Sequence, residues 1–252
     1  MNDPWMIASL TAILSIGIFV QAAAGFAAGL LIIPSMLWFG YQIPEAQTAL
    51  LVATIPQNLW GVWSFRDAVA PRQVVWPGVG RVVGLPLGIA ILYSMEAFPV
   101  VMLRQIVGGF VLVSTLSILW FRPEPRESLS PVWGWLAFPL SGFCQGLVGM
   151  GGPVMVFWVQ AHDWGTRQSR AFLFSMYLIS ILPALAILGF AFGGRIVKTG
   201  LLTTLLIPIL LIVTLMGLRF GTWLGRRRLR AVTLGLLFLI GLAGLAAPWL
   251  SR

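Results

Sequence analysis

Ten apolar runs succeed one another along this chain, and the longest polar stretch between them, residues 122–131, has only ten residues. The runs cover residues 6–24, 26–39, 46–64, 73–94, 99–121, 132–148, 150–161, 169–191, 200–224 and 231–250. Most approach the roughly 20 residues that a helix needs to cross about 30 Å of hydrocarbon. The composition agrees, at 59% hydrophobic and 9% charged residues with a mean hydropathy of +0.94. No soluble domain fits between the runs. The expected fold is an all-α polytopic membrane protein with 8–10 transmembrane segments.

The net charge of +9 invites a nucleic-acid reading, which the placement of the charge argues against. Arginine sits in short loops between spans, where it reports membrane orientation rather than a polyanion-binding face. The single cysteine, Cys144, excludes a disulfide within the chain and reads as a small buried residue. Residues 6–20 resemble the core of a signal peptide, with Ala22 and Ala24 like a cleavage site. The flank before them carries no Lys or Arg, and the first basic residue is Arg66, so a retained first span is expected.

The supposed cleavage region is also half of a long-range repeat. Gln21-Ala-Ala-Ala-Gly25-Phe26-Ala27-Ala28 returns 124 residues later as Gln145-Gly-Leu-Val-Gly149-Met150-Gly151-Gly152. Two further anchors keep the same order: Gly80, Gly84 and Gly88 against Gly217, Gly221 and Gly225, and Leu103-Arg104 with Gly109 against Leu229-Arg230 with Gly235. Two homologous halves are expected, residues 1–121 and 132–252, joined by a cytoplasmic linker at 122–131.

Charge then orients the halves. Arg66 and Arg72, Arg122 and Arg126, Arg167 and Arg170, and Arg226, Arg227, Arg228 and Arg230 fall in four loops that are expected to share the cytoplasmic side. The opposite ends keep only Arg104, Arg195, Lys198 and Arg252. Loop 65–72 is then inside while its counterpart 193–199 is outside, so the repeats are inverted, with about five segments in each.

Inversion gives the glycine motifs a function. In each half a long run is followed by a short one, 26–39 or 150–161, that reaches only about 18–21 Å as a helix. Broken helices are expected there, with glycine supplying the unusual backbone angles. Amides at a helix start favour anions, and two such starts would face each other near the bilayer midplane.

The candidate substrate-binding residues are Gln21, Gly25, Phe26, Ala27, Ala28, Gln145, Gly149, Met150, Gly151 and Gly152, with Asn58 and Arg81. Gln21 and Gln145 either donate to an oxyanion or satisfy carbonyls freed at the breaks. Phe26 and Met150 either gate the site or pack. Arg81, well inside a span, either meets substrate or snorkels to the interface. Asn58 either joins the site or bonds across helices. The glycine stripes are expected to pack helices closely, and His162 with Asp163 to form a solvated loop pair.

An enzyme is disfavoured. One His and one Cys do not assemble a zinc site, and no nucleophilic triad or phosphate-binding glycine loop is visible. No cofactor or metal is expected. A receptor or scaffold lacks extramembrane domains, which leaves a transporter, or alternatively an anion-selective channel built on the same repeats.

Phe19-Val-Gln21-Ala-Ala-Ala-Gly25-Phe26-Ala-Ala-Gly29 with Pro34, and Gly142-Phe-Cys-Gln-Gly146-Leu-Val-Gly149-Met-Gly-Gly152-Pro153, resemble the paired glycine motifs of the sulfite exporter TauE/SafE family. The likeness extends over nearly the whole chain, although Ala27 and Ala28 stand where many members have glycine. It implies a multi-pass permease of the bacterial inner membrane that moves sulfite, sulfonates or related small organic anions. The implied partners are that anionic substrate and the lipid bilayer, with no nucleic acid and with a homodimer left open.

Overall fold

The computed structural model describes residues 4–24, 27–121, 123–127, 129–224 and 226–250. Gly25 and Phe26, Arg122 and Gly225 lie outside the described residues, as do Arg252 and the side chains at 226–230.

Eleven α-helices occur in the described chain: α1 Pro4–Ala24, α2 Ala28–Trp38, α3 Ile43–Ser64, α4 Pro71–Ser94, α5 Val100–Trp120, α6 Pro131–Val148, α7 Gly152–Gln160, α8 Thr166–Phe192, α9 Gly194–Leu224, α10 Arg226–Leu245 and α11 Ala247–Leu250. Proline opens several of them, at Pro71 and Pro131 for example, where its missing N–H has no intrahelical partner to lose. The Gln42 amide donates to Glu45 Oε2 at 3.0 Å and closes the start of α3. Two boundaries differ from expectation. The loop expected at 193–199 shrinks to Gly193, whose φ of 64° allows an immediate turn into α9. The arginines at 226–230 open α10 instead of forming a loop.

Among the described residues, five helical segments are long and apolar enough to cross a membrane: Trp5–Ala23, Pro71–Ala97, Val100–Trp120, Thr166–Phe192 and Gly194–Phe220. Helices α3, α6 and α10 are 22, 18 and 20 residues long. The polarity of α3 is turned inward, since Gln47, Thr48, Thr54, Gln57 and Asn58 are buried. The short α2 and α7, with 11 and 9 residues, rise only about 16 and 14 Å. Large apolar side chains such as Phe190, Trp120 and Trp223 face outward, as lipid contact demands of a multi-pass membrane protein.

Helix α2 doubles back along α1. Gly17 of α1 faces Ile32 of α2, and the Tyr41 hydroxyl donates to the carbonyl of Met6. Helix α7 likewise returns beside α6, where Phe138 and Trp158 stack edge-on at 4.7 Å. The first hairpin therefore closes on one face of the bundle and the second on the other. On the first face Arg195 joins Gln42 at 2.6 Å and Glu96 at 2.7 Å. On the second, the Arg126 amide donates to Ala161 O and the Asp163 amide to Arg126 O, both at 3.0 Å. There too Arg167 lies 6.0 Å over the Phe65 ring, and Phe65 stacks on Phe174 at 6.3 Å. Three of the basic loops thus share one face, and α10 starts on that face because it runs antiparallel to α5, with Gly244 against Gly108.

The cross-half contacts come in matched pairs. Helix α4 packs on α6 as α9 packs on α1, and α4 on α8 as α9 on α3. Glycine makes the first pair possible. A Cβ at Gly84 or Gly88 would overlap the α6 backbone at Pro139 or Phe143, and one at Gly142 or Gly146 would overlap Arg81 or Leu85. Gly217 meets Phe19 O and Ala22, while Gly88 meets Phe143 O and Gly146. Since Phe19 and Ala22 repeat as Phe143 and Gly146, Gly217 answers to Gly88 rather than to Gly80. The contacts at Gly84, Gly88 and Gly217 are structural, as expected, but the register between the two stripes is shifted by two turns. Gly235 of the third anchor touches nothing within 4 Å, and Gly108, Gly241 and Gly244 bring α5 and α10 together instead.

Candidate functional site

Two long helices each give way to a short one, α6 to α7 and α1 to α2. Gly149 ends α6 with φ at 72°, a left-handed angle that glycine adopts freely. Ala27 precedes α2 with φ at 90°, a conformation that crowds its Cβ. The two breaks touch: the position of a Cβ on Gly29 lies 3.1 Å from Gly149 O and 3.7 Å from Met150 Cγ. Gln47 of α3 secures the contact by donating to Gly146 O at 3.2 Å.

Between the breaks lies a cavity of about 70 Å³. One water needs on the order of 10–15 Å³ of such space, so the cavity has room for a small ion. Its walls repeat across the halves. Gln21 and Gln145, Ala28 and Gly152, and Gly29 and Pro153 all line it, each pair 124 residues apart. Ala27, Gly149, Met150, Asn58 and Arg81 line it as well. Gly151 stands just behind, its amide donating to Gln145 Oε1 and its carbonyl accepting from Ser141 Oγ at 2.8 Å. Nine of the twelve candidate residues therefore meet at one wall-lined space, with Gly151 supporting it. Gly25 and Phe26 lie outside the described residues.

Arg81 does not snorkel. It is 1% exposed and held by side chains of two neighbouring helices. Nε donates to Ser180 Oγ of α8 at 3.1 Å, Nη1 to Ser141 Oγ of α6 at 2.7 Å, and Nη2 to Gln145 Oε1 at 3.3 Å. The Tyr177 ring lies 5.2 Å from the guanidinium carbon. The ion pairs of Arg66 with Asp67 and of Arg195 with Glu96 do not reach Arg81, and among the described residues no Asp or Glu lines the cavity beside it. A buried cation without a counter-ion is costly, and an anion in the adjacent cavity relieves that cost. Of its five N–H groups, two remain uncommitted.

The role of Gln145 follows from its neighbours. Arg81 and the Gly151 amide are both donors, so the atom facing them is the side-chain oxygen. Its NH2 group is therefore spared for the cavity it lines. On the register set by Gly88 and Gly217, Arg81 corresponds to Leu210, a buried leucine. The cation belongs to one half only, and the site is electrostatically lopsided although its backbone is paired.

Ser141, Tyr177, Ser180 and Thr54 were not among the candidates. Ser141 and Gln145 are four apart on α6, and Tyr177 and Ser180 three apart on α8, spacings that put each pair on one helix face. Two isolated polar pairs in apolar helices were the available signal. His162 departs from expectation: it is packed between Trp158 and Trp164 at 4.7 and 4.3 Å, with Nδ1 2.8 Å from Trp158 O. The Asp163 backbone amide donates to Arg126 O, and the His162 Nδ1 faces Trp158 O rather than Asp163.

The model of the family described as sulfite exporter TauE/SafE matches residues 9–244. A curated relative from Cupriavidus necator, named "Probable sulfite/organosulfonate exporter TauE", is 24% identical over 249 residues, 96% of this chain and 94% of the relative. No solved structure matches the chain.

Proposed function

The chain belongs to the sulfite exporter TauE/SafE family of membrane transporters, and from that membership we propose that it moves a small sulfur or organic oxyanion across a bacterial inner membrane by alternating access. The observation that carries the reading is Arg81, sealed from solvent, free of any carboxylate partner among the described residues, and set on the cavity wall. The anion is bound by Arg81 and the Gln145 NH2, with Gln21 and the first amides of α2 completing its coordination. The lopsided charge holds the anion toward α4, α6 and α8. Residues 1–121 and 132–252 act as the two units, with 122–131 as the linker between them. Their glycine-lined contacts, α4 on α6 and α9 on α1, are smooth surfaces along which such units rock. The basic face, with Arg66, Arg126 and Arg167, is cytoplasmic by the positive-inside rule.

The test is uptake of labelled sulfite into proteoliposomes, with ethanesulfonate as competitor. Saturable uptake that is abolished by Arg81→Gln is the expected result. A conductance that rises linearly with concentration, or uptake indifferent to Arg81→Gln, overturns it.

A further inference from the structure

The cavity carries one formal charge, and a residue of its wall holds a buried acceptor without a partner. Among the described residues, Arg81 is the sole charged residue of the lining, which contains no Asp, Glu, Lys or His. A single guanidinium balances one negative charge, and a second would face only neutral dipoles and apolar walls such as Leu50 and Met150. Asn58 lines the same space at 1% exposure, and its Oδ1 has no hydrogen-bond partner. The adjacent Gln57 Oε1 is buried and unmet too. Buried acceptors are normally paired, and a fully deprotonated oxyanion offers acceptors only. A monoprotonated oxyanion brings one charge for Arg81 and one donor for an amide oxygen.

Resting on the assignment of this cavity as the anion site, we propose that it selects the singly charged, protonated form of its substrate, hydrogensulfite over sulfite. The proton then crosses on the anion itself. The protein's own titratable groups beside Arg81 are the Tyr177 phenol on α8 and the Cys144 thiol on α6, both neutral acids in their ordinary state. No carboxylate of the lining is available to carry a proton instead.

The experiment measures uptake of labelled sulfite and of labelled ethanesulfonate by the full chain in proteoliposomes. The pH, equal on both sides, is stepped across the second ionisation of sulfurous acid, and Cys144→Ser is run in parallel to remove the thiol. Above that ionisation, the KM for total sulfite is expected to rise about tenfold per pH unit. The KM for ethanesulfonate, singly charged throughout, is expected to stay constant. A level or falling KM for total sulfite overturns the proposal. Asn58→Leu is expected to raise the KM for sulfite and leave that for ethanesulfonate unchanged, and equal losses for both overturn the part given to Asn58. If neither anion is taken up saturably, the anion site itself fails, a result distinct from a pH-independent KM.

Discussion

Arg81 and Gln145 meet at 3.3 Å across two helices that run side by side in the same direction, and neither has a carboxylate to share. The closeness depends on Gly84, Gly88, Gly142 and Gly146, which let α4 and α6 approach backbone to backbone. A packing motif thus sets the distance between a cation and the amide that orients it.

Arg81→Leu is therefore expected to separate stability from activity. Removing an unpaired buried charge relieves a desolvation cost, so the thermal midpoint in detergent should hold or rise. Anion uptake should disappear. A collapse of stability together with activity would mean that Arg81 is chiefly structural.

Gln145→Leu and Gln21→Leu should each weaken anion binding by roughly 1–3 kcal/mol, the scale of losing a hydrogen bond in a buried site. Gln145→Glu places a carboxylate on Arg81 and should abolish binding more completely than leucine does. Isothermal titration with sulfite reads all three. Unchanged affinity in the leucine variants would remove the glutamines from the site.

Ala27 holds a left-handed φ of 90°, where an L side chain is strained by about 1–2 kcal/mol. Part of that gain is lost to the greater freedom of glycine in the unfolded chain. Ala27→Gly should therefore stabilise the protein by up to about 1 kcal/mol in a denaturant or thermal series. Destabilisation would show that the break in the first half is built otherwise.

At Gly142 a Cβ would strike the Arg81 carbonyl, whereas at Gly235 nothing lies within 4 Å. Gly142→Ala should cost about 1–3 kcal/mol through displaced backbone and should also loosen Arg81. Gly235→Ala should be neutral or stabilising by as much as about 1 kcal/mol, since alanine is the better helix former. Equal effects at the two positions would contradict the observed contacts.

Cysteines introduced at Asp67 and Asp163 should react with an impermeant reagent only from the cytoplasmic side, and those at Gln42 and Glu96 only from the periplasmic side. The first two positions lie on the face with Arg66, Arg126 and Arg167, and the others surround Arg195. Labelling of all four from one side would overturn the inverted arrangement.

Hydropathy, the recurrence of Gln21 and Gly25 as Gln145 and Gly149, and the positions of arginine were legible without coordinates. These are local or additive properties: each residue's transfer cost counts wherever its neighbours lie, and a duplication survives as a motif. They were enough for helices, for breaks at the short segments and for nine residues that line one cavity. The shorter loops at Gly193 and before α10 were less legible, because a helix continues into polar residues once its end is solvated.

The rest was decided by packing. From the chain alone, Arg81 was equally able to reach the interface or turn inward, since α4 allows both. Its burial follows from which helices α4 meets, because Ser141, Gln145 and Ser180 lie 60, 64 and 99 residues away. The register that pairs Gly217 with Gly88, and so sets Leu210 opposite Arg81, likewise rests on backbone contact rather than on the spacing of glycines. That the charge of Arg81 turns into the bundle is a property of α4, α6 and α8 meeting, and no single stretch of sequence contains it.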